Sequence, residues 1–249
     1  HGRGTIKHAD GDKYVGMFKN GKYEGKGKMM HADFNGLKIV GDYKNGSPHG
    51  RATITNLKGY KYVGMLKNGK KHGKGSEVLS SGGKYLGSFR NNKRHGKGIY
   101  FNEYKMKFIG SWKNDSLYGK VNVTHADGSK YVGMLKNYFR HGKGTFLNNR
   151  DKTKYIGDWK NGEKHGKGFL IFDDGEKHVG SWKNDTFNGK GTIIYKNGNK
   201  TSGNFKNLLP HGKHTFVPKK GLKEIRTFKE GELIKLIKEG ELIKLKKTN

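Results

Sequence analysis

The feature of this sequence that most constrains its fold is a segment of about 23 residues that recurs nine times. The segment is clearest in YVGMLKNGKKHGKG, which begins at Tyr62. If the first residue of each copy is position one, every copy has Gly at position three, Asn at seven and Gly at twelve. Tandem repeats of this length form arrays in which each repeat packs mainly against its neighbours. The nine copies begin at Tyr14, Ile39, Tyr62, Tyr85, Phe108, Tyr131, Tyr155, His178 and Thr201, and a half copy occupies 1–4.

Each repeat has the pattern of a two-stranded β-hairpin. Positions one to six are rich in β-branched and aromatic residues, which suit a half-buried strand. The Asn at position seven is often followed by Gly, as at Asn68-Gly69, and both residues tolerate the positive φ of tight hairpin turns. A second turn signal, such as Asp127-Gly128, joins successive repeats. We therefore predict an all-β fold, an elongated single-layer antiparallel sheet whose eighteen strands would extend over about 90 Å.

The predicted core of this sheet is the column at position five, which is aromatic or Leu and contains all three Trp residues. Its members are Phe18, Tyr43, Leu66, Phe89, Trp112, Leu135, Trp159, Trp182 and Phe205. We predict that position six lies opposite position thirteen, which places position five opposite position fourteen. Position fourteen is Gly in six repeats. A ring beside a glycine covers its bare backbone, so this register predicts aromatic rescue of the glycines.

The composition excludes several classes of protein. Hydrophobic residues make up 31% of the chain, against about 45–50% in typical globular domains, which argues against a thick core. The absence of Cys excludes disulfide scaffolds, thiol catalysis and Cys-based zinc sites. The sequence has no apolar run of about 18 residues and no signal or transit peptide pattern, and its lack of an initiator Met predicts a fragment. We expect a cytoplasmic protein, associated in some interpretations with the cytoskeleton or with membranes.

Catalytic motifs find no support in the sequence. GKGT at 142–145 and 189–192 lacks the spacing and the following helix of a phosphate-binding loop. Carboxylates are few and lie mostly in predicted turns, and a single-layer sheet offers no deep pocket. We predict no enzymatic activity, no catalytic residues and no cofactor.

Histidine recurs at position eleven, where two interpretations stay open. Equivalent positions in adjacent hairpins should lie roughly 10 Å apart, too far for one zinc ion. We therefore predict that these histidines are structural and form no metal site. The alternative is that they give the sheet a pH-responsive charge. These residues are His1, His49, His72, His95, His141, His165 and His211.

The consensus Tyr-x-Gly-x-Trp-Lys-Asn-Gly-x-x-His-Gly-Lys-Gly, nearly complete between Tyr155 and Gly168, resembles the MORN repeat. The resemblance covers about residues 1–217 and implies an elongated single-layer antiparallel β assembly. MORN arrays occur in ciliary, cytoskeletal and membrane-junction proteins and as appendages to lipid kinases and histone methyltransferases. Phospholipid binding has been proposed for the family. The remaining 32 residues cannot hold a kinase or methyltransferase domain, so the resemblance implies scaffolding and interaction here.

Two columns of the repeat are always basic, and they are the predicted contacts to partners. The functional interpretation is a basic surface for acidic partners, and the alternative is that Lys keeps sheet edges soluble. In the predicted register the two columns face each other, which destabilises a strand pair unless an anion binds. At position six they are Lys19, Lys44, Lys67, Arg90, Lys113, Lys136, Lys160, Lys183 and Lys206. At position thirteen they are Lys26, Arg51, Lys74, Lys97, Lys120, Lys143, Lys167, Lys190 and Lys213.

The C-terminal segment differs from the repeats. KEGELIKL occurs at 229–236 and again at 238–245, and residues 224–249 contribute only +2 to the formal charge of +31. We divide the chain into a repeat array over 1–217 and a segment over 218–249. That segment is either a cap on the last hairpin or an edge that self-associates into a homodimer.

The function predicted from these features is a non-catalytic scaffold that binds acidic protein surfaces in a large, cytoskeletal assembly. The alternative is a peripheral membrane protein that binds anionic phospholipid headgroups through the basic columns. Nucleic acid is disfavoured, because single-strand recognition needs exposed aromatic rings and these rings are assigned to the core.

Overall fold

The computed structural model describes residues 1–239. The chain forms two compact units, an N-terminal unit over His1–Ala126 and a C-terminal unit over Asp127–Asn249. Within each unit the strands follow one another as tandem hairpins, and each strand pairs antiparallel with the next one in sequence. The predicted fold class, an antiparallel sheet of hairpin repeats, is confirmed.

The strands of the N-terminal unit are β1 (Gly2–Lys7), β2 (Lys13–Lys19), β3 (Lys22–Met30), β4 (Lys38–Lys44), β5 (Ser47–Thr55), β6 (Lys61–Lys67), β7 (Lys70–Val78), β8 (Lys84–Arg90), β9 (Lys93–Phe101), β10 (Lys107–Lys113) and β11 (Ser116–Thr124). Those of the C-terminal unit are β12 (Lys130–Lys136), β13 (Phe139–Leu147), β14 (Lys154–Lys160), β15 (Glu163–Ile171), β16 (Lys177–Lys183), β17 (Thr186–Ile194), β18 (Lys200–Lys206), β19 (Leu209–Val217), β20 (Glu224–Lys229) and β21 (Glu232–Lys238).

A two-residue turn closes each hairpin at positions seven and eight. In the third repeat Asn68 and Gly69 have φ of 50° and 73°, the pair of positive values that a type I′ turn requires. Such a turn places its flanking residues opposite each other, so Lys67 pairs with Lys70. Position six therefore faces position nine. The predicted pairing of position six with position thirteen is wrong, because the second strand begins directly after the turn.

A β-bulge near position twelve determines where position thirteen lies. Gly64 pairs with Gly75 while Met65 pairs with His72, so two extra residues are accommodated in β7. Lys74, one of these residues, pairs instead with Ser88 of the next repeat. The predicted ladder of like charges between positions six and thirteen is therefore absent from the described hairpins. Like charges face each other at positions six and nine, in the pairs Lys19/Lys22, Lys67/Lys70 and Arg90/Lys93.

The core contains two columns of the repeat. Position five is buried as predicted, with Trp112, Trp159 and Trp182 almost fully enclosed. Position one is buried equally, and its side chains include Tyr62 and Tyr131. The second column was not predicted as core.

Aromatic rescue is present, but its ring comes from position one in the five repeats with Tyr there, and from Phe187 at position ten for Gly191. A Cβ added to Gly75 would lie 2.7 Å from Cε2 of Tyr62, and the Tyr62 hydroxyl donates a hydrogen bond of 2.8 Å to the carbonyl of Met65. Position five instead faces positions ten and twelve, as Phe89 faces Arg94 and Gly73. The predicted contact between positions five and fourteen is wrong for the same reason as the register.

Repeats without Tyr at position one fill the space differently. Where Ile39 stands at position one, position fourteen is Ala52. Where Thr201 stands there, position fourteen is His214, whose buried ring lies 2.5 Å from a Cβ added to Gly203 and donates a hydrogen bond through Nε2 to the carbonyl of Asn204. Positions one, three and fourteen therefore form one packing unit.

The segment after the ninth repeat continues the hairpin pattern. Gly212 on β19 pairs with Phe228 on β20, and Ile225 on β20 pairs with Ile237 on β21. The second KEGELIKL copy, at 238–245, lies almost entirely outside the described residues. The boundary at 217, the cap and the self-association segment stay predictions.

Candidate functional site

The strands present two different faces, which we call inner and outer. The inner face carries positions one, five and ten, and the outer face carries positions two, four, six and thirteen, since successive side chains of a strand alternate. In the third repeat, Tyr62 and Leu66 on the inner face are buried, whereas Met65 on the outer face is 44% exposed. All eighteen predicted contact residues are exposed and belong to the outer face. They do not form facing pairs.

The environment of each position-thirteen cation depends on the residue opposite it, at position four of the next repeat. Lys26 forms an ion pair of 2.6 Å with Asp42, and Lys143 forms one of 2.7 Å with Asp158. Burial alone would raise the pKa of Asp158, but the Lys143 ammonium and the backbone N–H of Lys167, at 3.0 Å, bring that pKa below its usual value. At these repeats the outer face neutralises its own charge.

Three consecutive position-thirteen cations of the N-terminal unit have no such neighbour. Arg51, Lys74 and Lys97 face Met65, Ser88 and Ser111, respectively. Within residues 1–239, none of the three forms an ion pair with an acidic side chain. Lys167, Lys190 and Lys213 of the C-terminal unit also face uncharged residues, so the first three are distinguished by the absence of acidic residues around them. Glu77 is the only acidic residue of the sequence between 43 and 102, and it is buried on the inner face. The positive charge of this region is therefore left for a partner.

These three cations surround a shallow cavity of about 570 Å³ on the outer face of β5–β9. Its floor is backbone, because Gly residues stand at positions three and fourteen of the strands that cross it. Apolar side chains lie between the cations. We call this cavity the outer-face groove, and its lining includes Gly64, Gly75 and Gly87 in the floor, Val63, Met65 and Leu86 as apolar side chains, and Arg51, Lys74 and Lys97 as cations.

A second set of cations, at position ten, lies on the inner face and was missed by the sequence analysis. The Arg94 guanidinium lies 4.6 Å from the ring centroid of Tyr100 and 5.4 Å from that of Trp112. Arg140 lies 4.2 Å from the Trp159 ring. Burial lowers the pKa of both Arg140 and Lys164 from their ordinary values. These cations stabilise the core by cation–π contact, and a two-residue turn, which sets position ten opposite position five, was the signal that could have revealed them.

Glu77 joins the inner-face cations of the N-terminal unit into one buried network. Its carboxylate forms an ion pair with Lys71 and lies 3.7 Å from Nε of Arg94. The Tyr60 hydroxyl donates a hydrogen bond of 2.9 Å to it. Burial, together with the Glu77 charge, raises the pKa of Tyr60. The network orders the inner face and leaves the groove cations uncompensated.

Neither a metal-binding cluster nor a helix that could cross a membrane occurs in the described part of the chain. Among residues 1–239 no group of three His, Asp or Glu side chains converges as a metal site. No helix there has the length and apolarity to cross a membrane.

Similarity to solved structures is distant. The chain is similar to the TCP10 domain of Danio rerio CPAP, solved in complex with a peptide of STIL, at 14% identity and a TM-score of 0.36, over 95% of this chain and 99% of that one. It is also similar to the TCP domain of Drosophila melanogaster SAS-4, solved with a proline-rich motif of Ana2, at 15% identity and a TM-score of 0.40, over 73% and 90% of the two chains. No curated protein sequence matches the chain.

Family membership rests on the repeats themselves. The model of the MORN repeat matches 14–35, 40–55, 62–84, 85–102, 131–149, 155–177 and 178–200. Repeats beginning at Phe108 and Thr201 are not matched, yet they form the same hairpins, β10–β11 and β18–β19. Both depart from the pattern at two positions. Position one is Phe108 or Thr201 instead of Tyr, and position fourteen is Val121 or His214 instead of Gly. Since the matched segments cover more than half of the sequence and each coincides with a structural hairpin, the chain belongs to the MORN repeat family.

Proposed function

We propose that this chain is a non-catalytic scaffold whose N-terminal unit binds acidic segments of partner proteins on its outer face. The observation that carries the proposal is the row Arg51, Lys74 and Lys97, three exposed cations on one groove without acidic neighbours. Each faces an uncharged residue, so their mutual repulsion is relieved only by an anion from outside. A scaffold role agrees with membership of the MORN repeat family, and we place it in a cytoplasmic, cytoskeletal assembly.

The groove favours protein over phospholipid as the source of the anion. Met65 and Leu86 are exposed between the cations, at 44% and 58%. A polypeptide supplies carboxylates and apolar side chains together, whereas a lipid headgroup that reaches into the groove supplies charge alone. The anionic membrane therefore stands as the competing outcome of the test.

The test compares two triple variants of the full chain with the same change in net charge. Arg51→Glu, Lys74→Glu and Lys97→Glu together reverse the groove. Lys154→Glu, Lys177→Glu and Lys200→Glu together reverse three exposed lysines, one on each of β14, β16 and β18, in the C-terminal unit. Binding is measured by fluorescence anisotropy with labelled poly-L-glutamate at a fixed, moderate salt concentration, because exposed charge interactions are screened by salt.

We expect the groove triple to weaken binding far more than the control triple. Equal weakening by both would show that only net charge matters, and the proposed site would be wrong. A parallel flotation with phosphatidylserine vesicles distinguishes the alternative. Two results together would assign the groove to membranes instead. The wild type would float with the vesicles in a salt-sensitive way that the groove triple loses, and the wild type would not bind poly-L-glutamate.

A further inference from the structure

The groove cations have a spacing that restricts the conformation of a bound segment. Arg51, Lys74 and Lys97 occupy β5, β7 and β9, which are alternate strands of the N-terminal unit. Each pair of successive strands between them is hydrogen-bonded. Neighbouring strands lie about 4.8 Å apart, so the cations recur roughly every 9.6 Å across the strands. A ligand that contacts all three needs acidic side chains with the same period on one side.

Polyproline II conformation provides this period. It has three residues per turn and a rise of about 3.1 Å per residue, so every third side chain lies on the same side after about 9.3 Å. An extended strand repeats its face after about 6.8 Å, and an α-helix repeats after about 5.4 Å. Of these three conformations, polyproline II matches the cation spacing with the shortest sequence period, three residues, whereas an α-helix comes close only at every seventh residue, after about 10.5 Å.

The strands of the groove cannot form backbone hydrogen bonds with a ligand as they would with an added strand. β6, β7 and β8 are each paired on both sides, so a ligand cannot add to them as a further strand. Recognition must occur through side chains. A polyproline II helix has three rows of side chains, and two of these rows contact a surface on which the helix lies. The acidic row therefore contacts the cations, and an apolar row contacts Met65 and Leu86.

We infer that the outer-face groove selects a segment in polyproline II conformation that runs across β5–β9, with an acidic side chain at every third residue and apolar side chains between. This inference rests on the proposed function and specifies the ligand of the same site. It makes the groove sensitive to the spacing of acidic residues as well as to their number.

Two peptides of identical composition test the spacing. Glu-Pro-Leu-Glu-Pro-Leu-Glu places its three carboxylates three residues apart, and Glu-Leu-Glu-Pro-Glu-Leu-Pro places them two apart. Exposed ion pairs contribute about 0.2–1 kcal/mol each, so loss of register at two cations should weaken binding roughly twofold to 30-fold. Both peptides are titrated into the wild-type chain and into Lys74→Glu, which removes the central cation. In that variant the difference between the peptides should largely vanish.

The apolar contacts are tested with a matched control. Leu86→Ser and Met65→Ser should each weaken the first peptide. Met134→Ser should not, although Met134 is equally exposed at 43% and lies at the equivalent position of the C-terminal unit, opposite His141. The inference would be overturned if the two peptides bound the wild type equally, or if Met65→Ser and Met134→Ser weakened binding equally. Neither result would contradict the proposal that the groove binds acidic segments. Failure of poly-L-glutamate to bind would instead contradict the proposed function.

Discussion

The two units consist of the same hairpins but carry cavities of similar size and opposite charge, one on the strands and the other among the turns between repeats. The outer-face groove of the N-terminal unit, of about 570 Å³, is lined by Arg51, Lys74 and Lys97 without a carboxylate. A cavity of about 550 Å³ in the C-terminal unit is lined mainly by acidic residues and one lysine. Its acidic members are Asp151, Asp173, Asp174 and Glu176, which lie in or next to turns between repeats.

This difference shows which positions of the repeat carry structure and which carry specificity. Positions one, three, five and fourteen form the packing unit of the hairpin in both units, with the same Tyr–Gly contact wherever position one is Tyr. Position four and the turns between repeats vary freely, because their side chains are on the surface. Ser88 leaves Lys74 uncompensated, whereas Asp158 at the same position neutralises Lys143. One residue per repeat is therefore enough to change the charge of the outer face.

The largest expected effect is a loss of folding stability when the buried ring at position five, which both units share, is removed. Trp112→Ala and Trp159→Ala should each lower the free energy of unfolding by about 3–5 kcal/mol, because each removes a buried ring at position five. Urea denaturation followed by circular dichroism measures the loss. Trp112→Phe and Trp159→Phe, which keep a ring, serve as controls and should cost less. A loss in one unit only would show that position five does not support both units alike.

The next effect should separate the units. Glu77→Gln removes the only carboxylate from the network of Lys71, Arg94 and Tyr60 and leaves two half-buried cations without a counter-charge. We expect a loss of about 3 kcal/mol in the free energy of unfolding. Asp185→Asn is the matched change in the C-terminal unit, where Lys164 lies 3.9 Å from an exposed carboxylate, and it should cost less than about 1 kcal/mol. Equal costs would contradict the assignment of Glu77 to a buried network.

The hairpins and the position-five core could be predicted from the sequence because they recur nine times, and repetition makes a local pattern visible. Register could not be read as safely. Gly73-Lys74-Gly75 looks like the start of a strand, yet Asn68-Gly69 forms a two-residue turn and the strand begins at Lys70. The prediction thus placed the strand start at the bulge.

The packing partner of the glycines was also recoverable. Five repeats have Tyr at position one, and all five have Gly at position fourteen, whereas Ile39 is matched by Ala52. This covariation within the chain identifies position one as the ring that covers the glycines. The groove was not recoverable, because its neutral neighbours become significant only when position four is known to face position thirteen.

The smallest expected effect exchanges the charge environments of Lys74 and Lys143, one in each unit. Asp158→Ser should leave Lys143 without an acidic partner, which is the present state of Lys74. Ser88→Asp should give Lys74 an acidic partner, which is the present state of Lys143. We expect poly-L-glutamate to bind the first variant more tightly and the second more weakly, each by a factor of about 1.4 to 5, the range of one exposed ion pair.

Stability should respond to Asp158→Ser only in part of the pH range. The pKa of Asp158 is below its ordinary value of 3.8 in the folded chain, so its carboxylate stabilises the fold above that value, and the contribution is lost as pH falls through the folded pKa. The variant should therefore be less stable than the wild type by under about 1 kcal/mol near neutral pH and equally stable in strong acid. A difference that persisted in acid would mean that Asp158 acts through packing, and the contrast between Lys143 and Lys74 would then no longer be one of charge.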